Sequence, residues 1–176
     1  MSPQRSDQNQ SFHDPNKSKE KRFPYDEGKK HMQENLVDAD TNMIYQEKHW
    51  KALSELRPDL VDSFHEGSSP LSKMIQAGVC EGALHIKGNF FNEHKDEIMG
   101  AIKHSDQIAR ERDEMNRVLN IVRINESDIG IFTSKNQLAV TIGKKLDSAF
   151  KGGKLDIRWG KGDKEVDVVW HKNLDE

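Results

Sequence analysis

Residues 80–172 predict an α+β fold, a ferredoxin-like split β-α-β sandwich with the element order β-α-β-β-α-β-β. Three observations carry that prediction. The run from Lys154 to His171 alternates apolar and polar residues with period two, as a hairpin with one covered face requires. Two apolar stripes at helical spacing, one through Phe91, Ile98, Ile102 and Ile108 and one through Leu138, Ile142 and Leu146, mark two amphipathic helices. Between them lies a β-branched run, Val118 to Ile124, followed by turn chemistry and a second apolar run.

Ala83 to Lys87 alternates weakly and reads as the first strand. Gly88-Asn89 breaks it, with Asn89 as the expected N-cap of the first helix, whose other faces carry Glu93, Lys95, Asp96 and Lys103. Asn125 to Asp128 is a turn, so 118–124 and 129–133 form a hairpin. Ser134 with Gln137 three positions on is a capping box for the second helix, and Lys151-Gly152-Gly153 stops it. Leu155, Ile157 and Trp159, then Val166, Val168 and Trp170, point inward from the last hairpin, which turns at Gly160 to Asp163. The fifth strand is expected to extend the sheet edge of an antiparallel sheet covered on one face by both helices.

The first 36 residues are polar and aperiodic and are expected to be a disordered arm, with residues 173–176 as a short tail. Residues 37–79 are intermediate. Trp50, Leu53 and Leu56 recur at helical spacing between Glu47 and Arg57, with Pro58 as the stop. A second short turn of helix runs from Pro70 to Gln76 and ends at Gly78. Two arrangements are open for this segment: a satellite packed on the main domain, or a piece that folds only against a partner.

Hydrophobic residues make up 34% of the 176 and charged residues 32%, too polar for the whole chain to share one core. The one cysteine, Cys80, has no partner for an internal disulfide and is by itself no zinc site, which fits a reducing, cytoplasmic setting. No apolar run approaches the roughly 18–20 residues of a membrane span, and Met1 to Lys21 has no secretory apolar region. Walker-A, G-x-S-x-G and strand-following G-x-G-x-x-G patterns are missing, so a non-catalytic chain without cofactor or metal is expected. His94 and Glu97, three apart on a helix, are one pair and too few ligands; both are expected to be exposed, and His85 to face solvent from the first strand.

Charge is unevenly spread. From Lys135 to Lys164 there are eight bases and three acids, a net of +5 within a chain of net charge −3. Lys144, Lys145 and Lys151 crowd the end of the second helix, and Lys154, Arg158, Lys161 and Lys164 continue through the last hairpin. Two readings stand side by side: a patch that contacts nucleic-acid phosphate, and a solvated surface with cations favourably placed near a helix C-terminus. A different surface, Trp50, Leu53 and Leu56 or the edge of the last strand, is a candidate protein-docking site.

The stretch Gly88-Asn89-Phe90-Phe91-Asn92-Glu93-His94-Lys95-Asp96-Glu97-Ile98, with Thr133, Leu138, Ile142-Gly143, Leu146, Ala149, Gly153-Lys154-Leu155 and Val168-Val169-Trp170, resembles small bacterial proteins grouped with the large-ribosomal-subunit export adaptors. The resemblance covers about half the chain. Members of that family carry an N-terminal zinc ribbon with two C-x-x-C pairs. The resemblance places Asp38, Thr41, Ser69 and Ser72 at those four positions, a degenerate ribbon without metal ligands, because structural Zn²⁺ wants thiolate or imidazole. It implies ribosomal RNA or a ribosomal subunit as partner, with a protein partner reached through residues 37–79.

Overall fold

A computed structural model describes residues 34–175. The expected arm, up to residue 33, lies outside the described residues; Leu36, the last residue assigned to it, opens a strand. The described residues form a mixed α+β fold, with two sheets and four α-helices among them.

The smaller sheet comes from residues 36–66. Strands β1 (Leu36–Asp38), β2 (Met43–Gln46), β3 (His49–Ala52) and β4 (His65–Glu66) lie in the order β3-β2-β1-β4, with β4 parallel to β1 and the other pairs antiparallel. The helix expected over Glu47 to Arg57 is not formed. Glu47 and Lys48 both take positive φ (53° and 64°), as a two-residue hairpin turn demands, and the chain folds back on β2. Trp50 then packs across the pair on Tyr45, ring centroids 5.3 Å apart, while Leu53 begins a single 3₁₀ turn. A three-residue apolar spacing over so short a stretch suits a strand followed by a turn as well as a helix, and pairing with β2 decides between them.

Helix α1 (Pro70–Ala77) follows its sequence signals closely. Ser69 accepts from the Ser72 backbone, Pro70 takes the first position, and Gly78 closes the helix in the left-handed conformation. Leu71 and Met74 from this helix, with Met43 and Ile44 from β2, are the buried apolar residues of the small module.

The larger sheet comprises β5 (Gly82–Lys87), β6 (Val118–Asn125), β7 (Asp128–Thr133), β8 (Lys154–Trp159) and β9 (Val166–His171), in the order β6-β7-β5-β9-β8. β7 sits between β5 and β6, antiparallel to both, as a split β-α-β course places it. The last hairpin departs from expectation. β9 does not extend the edge: it inserts beside β5, parallel to it, and leaves β8 at the edge. The sheet is therefore mixed, not antiparallel. Val166, Val168 and Trp170 on β9 are at most 1% exposed, whereas β8 is only partly covered; the more apolar strand takes the central place.

The first helix is interrupted. α2 (Phe90–Glu93) ends at His94, and α3 (Lys95–Arg112) starts beyond it. Asn89 is itself helical in conformation and caps nothing; its Oδ1 accepts from the Leu174 backbone nitrogen at 2.9 Å. The capping box at Ser134 is also not formed. Its hydroxyl accepts from Arg117 N and donates to Met115 O, so α4 (Asn136–Ala149) starts from Lys135 without a side-chain cap. The buried Glu81 carboxylate stands at that helix start, 3.4 Å from Asn136 N and 3.1 Å from Lys135 Nζ, where negative charge is favoured.

One core fills the space between this sheet and its helices, with Leu84, Ile86, Ile98, Ile102, Ile131, Ile142, Leu146, Val168 and Trp170 among its most buried members. Gly143 and Gly153 let the layers close. A Cβ at Gly143 would meet Val168 at 2.8 Å, and one at Gly153 would meet the Trp170 indole at 2.6 Å.

Candidate nucleic-acid interface

The seven bases do not share one face. On β8 the side chains alternate: Leu155 and Ile157 pack on the helix-covered core, so Lys154, Asp156 and Arg158 occupy the opposite face of the sheet. Lys144 and Lys145 stand on α4, on the helix side. Lys151 follows α4, and Lys161 and Lys164 lie in the β8–β9 connection, which contains a short 3₁₀ turn. The bases therefore ring the edge strand β8 from both sides. Six of them are exposed and Lys145 is half-buried.

The ion pairs sort them further. Arg158 is paired with Asp156, two positions away, at 2.6 Å, so a carboxylate stands beside its charge. Lys144, Lys145, Lys151, Lys154 and Lys161 make no ion pair among the described residues. Trp159, on the helix side of the same edge strand, is 42% exposed. An unpaired edge strand flanked by lysines and carrying an exposed indole can meet a polyanion electrostatically; the same lysines also block edge-to-edge aggregation.

Comparison with protein-family models, with curated proteins and with solved structures finds no match to the chain.

The protein-docking residues take other positions than a helix would have offered. Trp50 lies on β3, Leu53 begins the 3₁₀ turn behind it and Leu56 follows that turn, all three half-buried. Trp50 borders a groove of about 980 Å³ between β3 and the end of α3, lined also by His49, Glu55, Arg110 and Glu111. Its indole Nε1 is buried without a hydrogen-bond partner. The edge of the last strand is not available, since β9 is paired on both sides; the edge strands are β8 beside it and β6 at the far side.

The four positions where the resemblance expects cysteine come together. Asp38, Thr41, Ser69 and Ser72 are all at most 5% exposed. Asp38 Oδ2 accepts from Ser69 N at 2.7 Å and Ser72 Oγ at 2.6 Å, and its Oδ1 accepts from Asp40 N and Thr41 N. The Thr41 and Ser69 hydroxyls lie 3.2 Å apart. Burial works against the charge on Asp38, but the donors on Ser69, Ser72 and Thr41 outweigh it and hold the carboxyl at about 2, below its ordinary 3.8. The oxygens are spent on one another, so the cluster works as a hydrogen-bonded clasp between two turns. Arg117 joins it to the larger sheet by donating to Thr41 O at 3.1 Å and to Glu114 at 2.6 Å.

Among the described residues, no three of His, Cys, Asp and Glu gather as a metal site would require. No helix among them is long and apolar enough to cross a membrane. His94 is half-buried, not exposed, and stacks on Phe90 with centroids 4.0 Å apart. His85 is likewise half-buried, 3.4 Å from Asp128 on the uncovered sheet face. Cys80 is buried.

Sequence reasoning missed the hollow where β5 and β9 end, bordered by Lys87 and His171. Its residues are scattered along the chain and unremarkable in composition. Pairing of β5 with β9 on one side and with β7 on the other brings them together.

Proposed function

We propose that this chain is a non-catalytic adaptor that binds RNA phosphate, in the setting of a ribosomal particle, through the basic rim around β8. The observation that carries the reading is the set of five lysines, 144, 145, 151, 154 and 161, left without ion pairs around a free edge strand. Lysines not already neutralised by carboxylates are free to neutralise phosphates, and the release of the counterions condensed on the nucleic acid drives the association. The meeting of Asp38, Thr41, Ser69 and Ser72 in one clasp supports kinship with the export-adaptor family, with a hydrogen-bonded centre in place of a metal-bound one. The split β-α-β course from β5 to β7 supports a ferredoxin-like origin for the larger unit, with the last hairpin inserted.

The test is co-sedimentation of the full chain with ribosomal subunits across a salt series, beside a variant with Lys144, Lys145, Lys154 and Lys161 changed to Glu. Binding that falls steeply with salt and disappears in the variant is the expected result. No binding at low salt overturns the reading.

A second reading rests on the groove beside β3. A buried, unsatisfied indole N–H next to a cleft of about 980 Å³ suits a protein segment that brings an acceptor to Trp50. That binding would tolerate salt and be lost in Trp50→Ala.

A further inference from the structure

We infer that the hollow at the shared C-terminal end of β5 and β9 holds a phosphate of single-stranded RNA. This rests on the RNA reading and adds to it a contact site that adjoins the basic rim at Lys154 and extends it to Lys87. Lys87 and His171 end two parallel neighbouring strands and are paired in register, and Lys154 of β8 is in turn paired with His171. One row across three strands thus carries Lys87, His171 and Lys154 on the uncovered sheet face, with neighbouring strands about 4.8 Å apart. The two lysines supply the charge on which the proposal depends.

Beside the row lies a hollow of about 570 Å³ lined by Lys87, Asn89, Asn125, Ser127, His171 and Asn173. Its three asparagines share a feature. Asn89 Oδ1 accepts from Leu174 N at 2.9 Å, Asn125 Oδ1 from Ser127 N at 2.8 Å, and Asn173 Oδ1 from Asn89 N at 3.4 Å. A backbone N–H can meet only the oxygen end of an amide, so these bonds fix the orientation of all three groups. Each has spent its acceptor on the backbone, and each keeps an NH₂ with no acceptor among the described residues.

The hollow is therefore rich in donors. Its one carboxylate, Asp128, lies 3.4 Å from His85 and 3.8 Å from Lys87, too far to take a hydrogen bond from the ammonium, whose donors stay available. An ammonium and several amide donors around a space open to solvent match an acceptor-only tetrahedral oxyanion. The site also lies outside the carboxyl ends of parallel strands, a usual position for ligands in open sheets. Gly88 allows it. At φ 100°, with a Cβ there falling 2.1 Å from Lys172 O, only glycine lets the ends of β5 and β9 approach this closely.

The test has two arms on the full chain. Inorganic phosphate is titrated into ¹⁵N-labelled protein while the side-chain amide signals of Asn89, Asn125 and Asn173 are followed. Saturable shifts of all three are expected, absent with chloride at equal ionic strength and about tenfold weaker in affinity in Lys87→Gln. No shift, or the same shift with chloride, overturns the inference. In the second arm a single-stranded RNA oligomer is titrated into the wild type, Lys87→Gln and the four-lysine variant. Several-fold weaker binding in Lys87→Gln supports the inference. RNA binding that is unchanged in Lys87→Gln but lost in the four-lysine variant overturns the hollow and leaves the rim. Absence of any RNA binding at low salt overturns both. Lys87 is 45% exposed, so its substitution leaves the fold intact, which thermal melting verifies.

Discussion

Asp38 and Ser69 are joined across 31 positions by a 2.7 Å hydrogen bond from the Ser69 backbone nitrogen to the Asp38 carboxylate. The same carboxylate takes the Ser72 hydroxyl and the backbone nitrogens of Asp40 and Thr41, so one side chain ties the β1–β2 turn to the start of α1. Replacing Asp38 by Ala strips these buried donors of their acceptor. The expected cost is about 3 kcal/mol, read from chemical denaturation.

The same group predicts a pH dependence. Its carboxyl is held at about 2 in the folded chain, below the ordinary 3.8. A depressed folded value stabilises fully above the unfolded value, and the stabilisation is lost as pH falls through the folded one. Wild-type stability should therefore fall between about pH 4 and pH 2 by more than that of Asp38→Asn, which has no proton to take up. Denaturation midpoints measured over that range check it, and parallel curves would contradict the role given to the charge.

Arg117 is the polar bridge between the two sheets. Its side chain is 12% exposed; burial lowers its pKa, while the neighbouring Glu114 acts in the opposite direction. Arg117→Met keeps the stem and removes the bonds to Thr41 O and Glu114. We expect a loss of about 2 kcal/mol and faster amide exchange in β1 to β3 than in β5 and β9. Uniform acceleration across both sheets would show that the bridge does not act locally.

Gly153→Ala tests the packing of the last hairpin. The new methyl would sit 2.6 Å from Nε1 of a Trp170 that is fully buried and has no room to retreat. Destabilisation of about 2 kcal/mol is expected in a denaturant titration. Wild-type stability in that variant would mean that the indole is free to move.

The β2–β3 turn is predicted to tolerate improvement. Glu47 and Lys48 both adopt positive φ, a conformation that L side chains resist, and their exposed contacts add little. Glu47→Asn with Lys48→Gly should raise stability by about 0.5 to 1 kcal/mol, visible as a higher melting temperature.

Elements that announce themselves locally were legible in the sequence. α1 carries its own cap, first-turn proline and terminal glycine, and β8 and β9 carry strict alternation, so nearest neighbours along the chain suffice to define them. The β3 segment was not legible, because its apolar spacing satisfies two periodicities and only pairing with β2 chooses. Ser134 looked like a cap for the same reason: its usefulness to Arg117 and Met115 depends on chain 17 and 19 positions away.

The candidate surfaces divide in the same way. Net positive charge between Lys135 and Lys164 is a property of the sequence, and it marks that stretch as basic within an acidic chain. Which bases share a face, which are spent on ion pairs, and that β9 inserts beside β5 to build a donor-lined hollow were decided by the tertiary structure. The physical reason is range. Alternation, capping and local charge act over a few residues, whereas strand order is set by which strand buries more apolar surface against the helices, a competition among segments far apart in the chain.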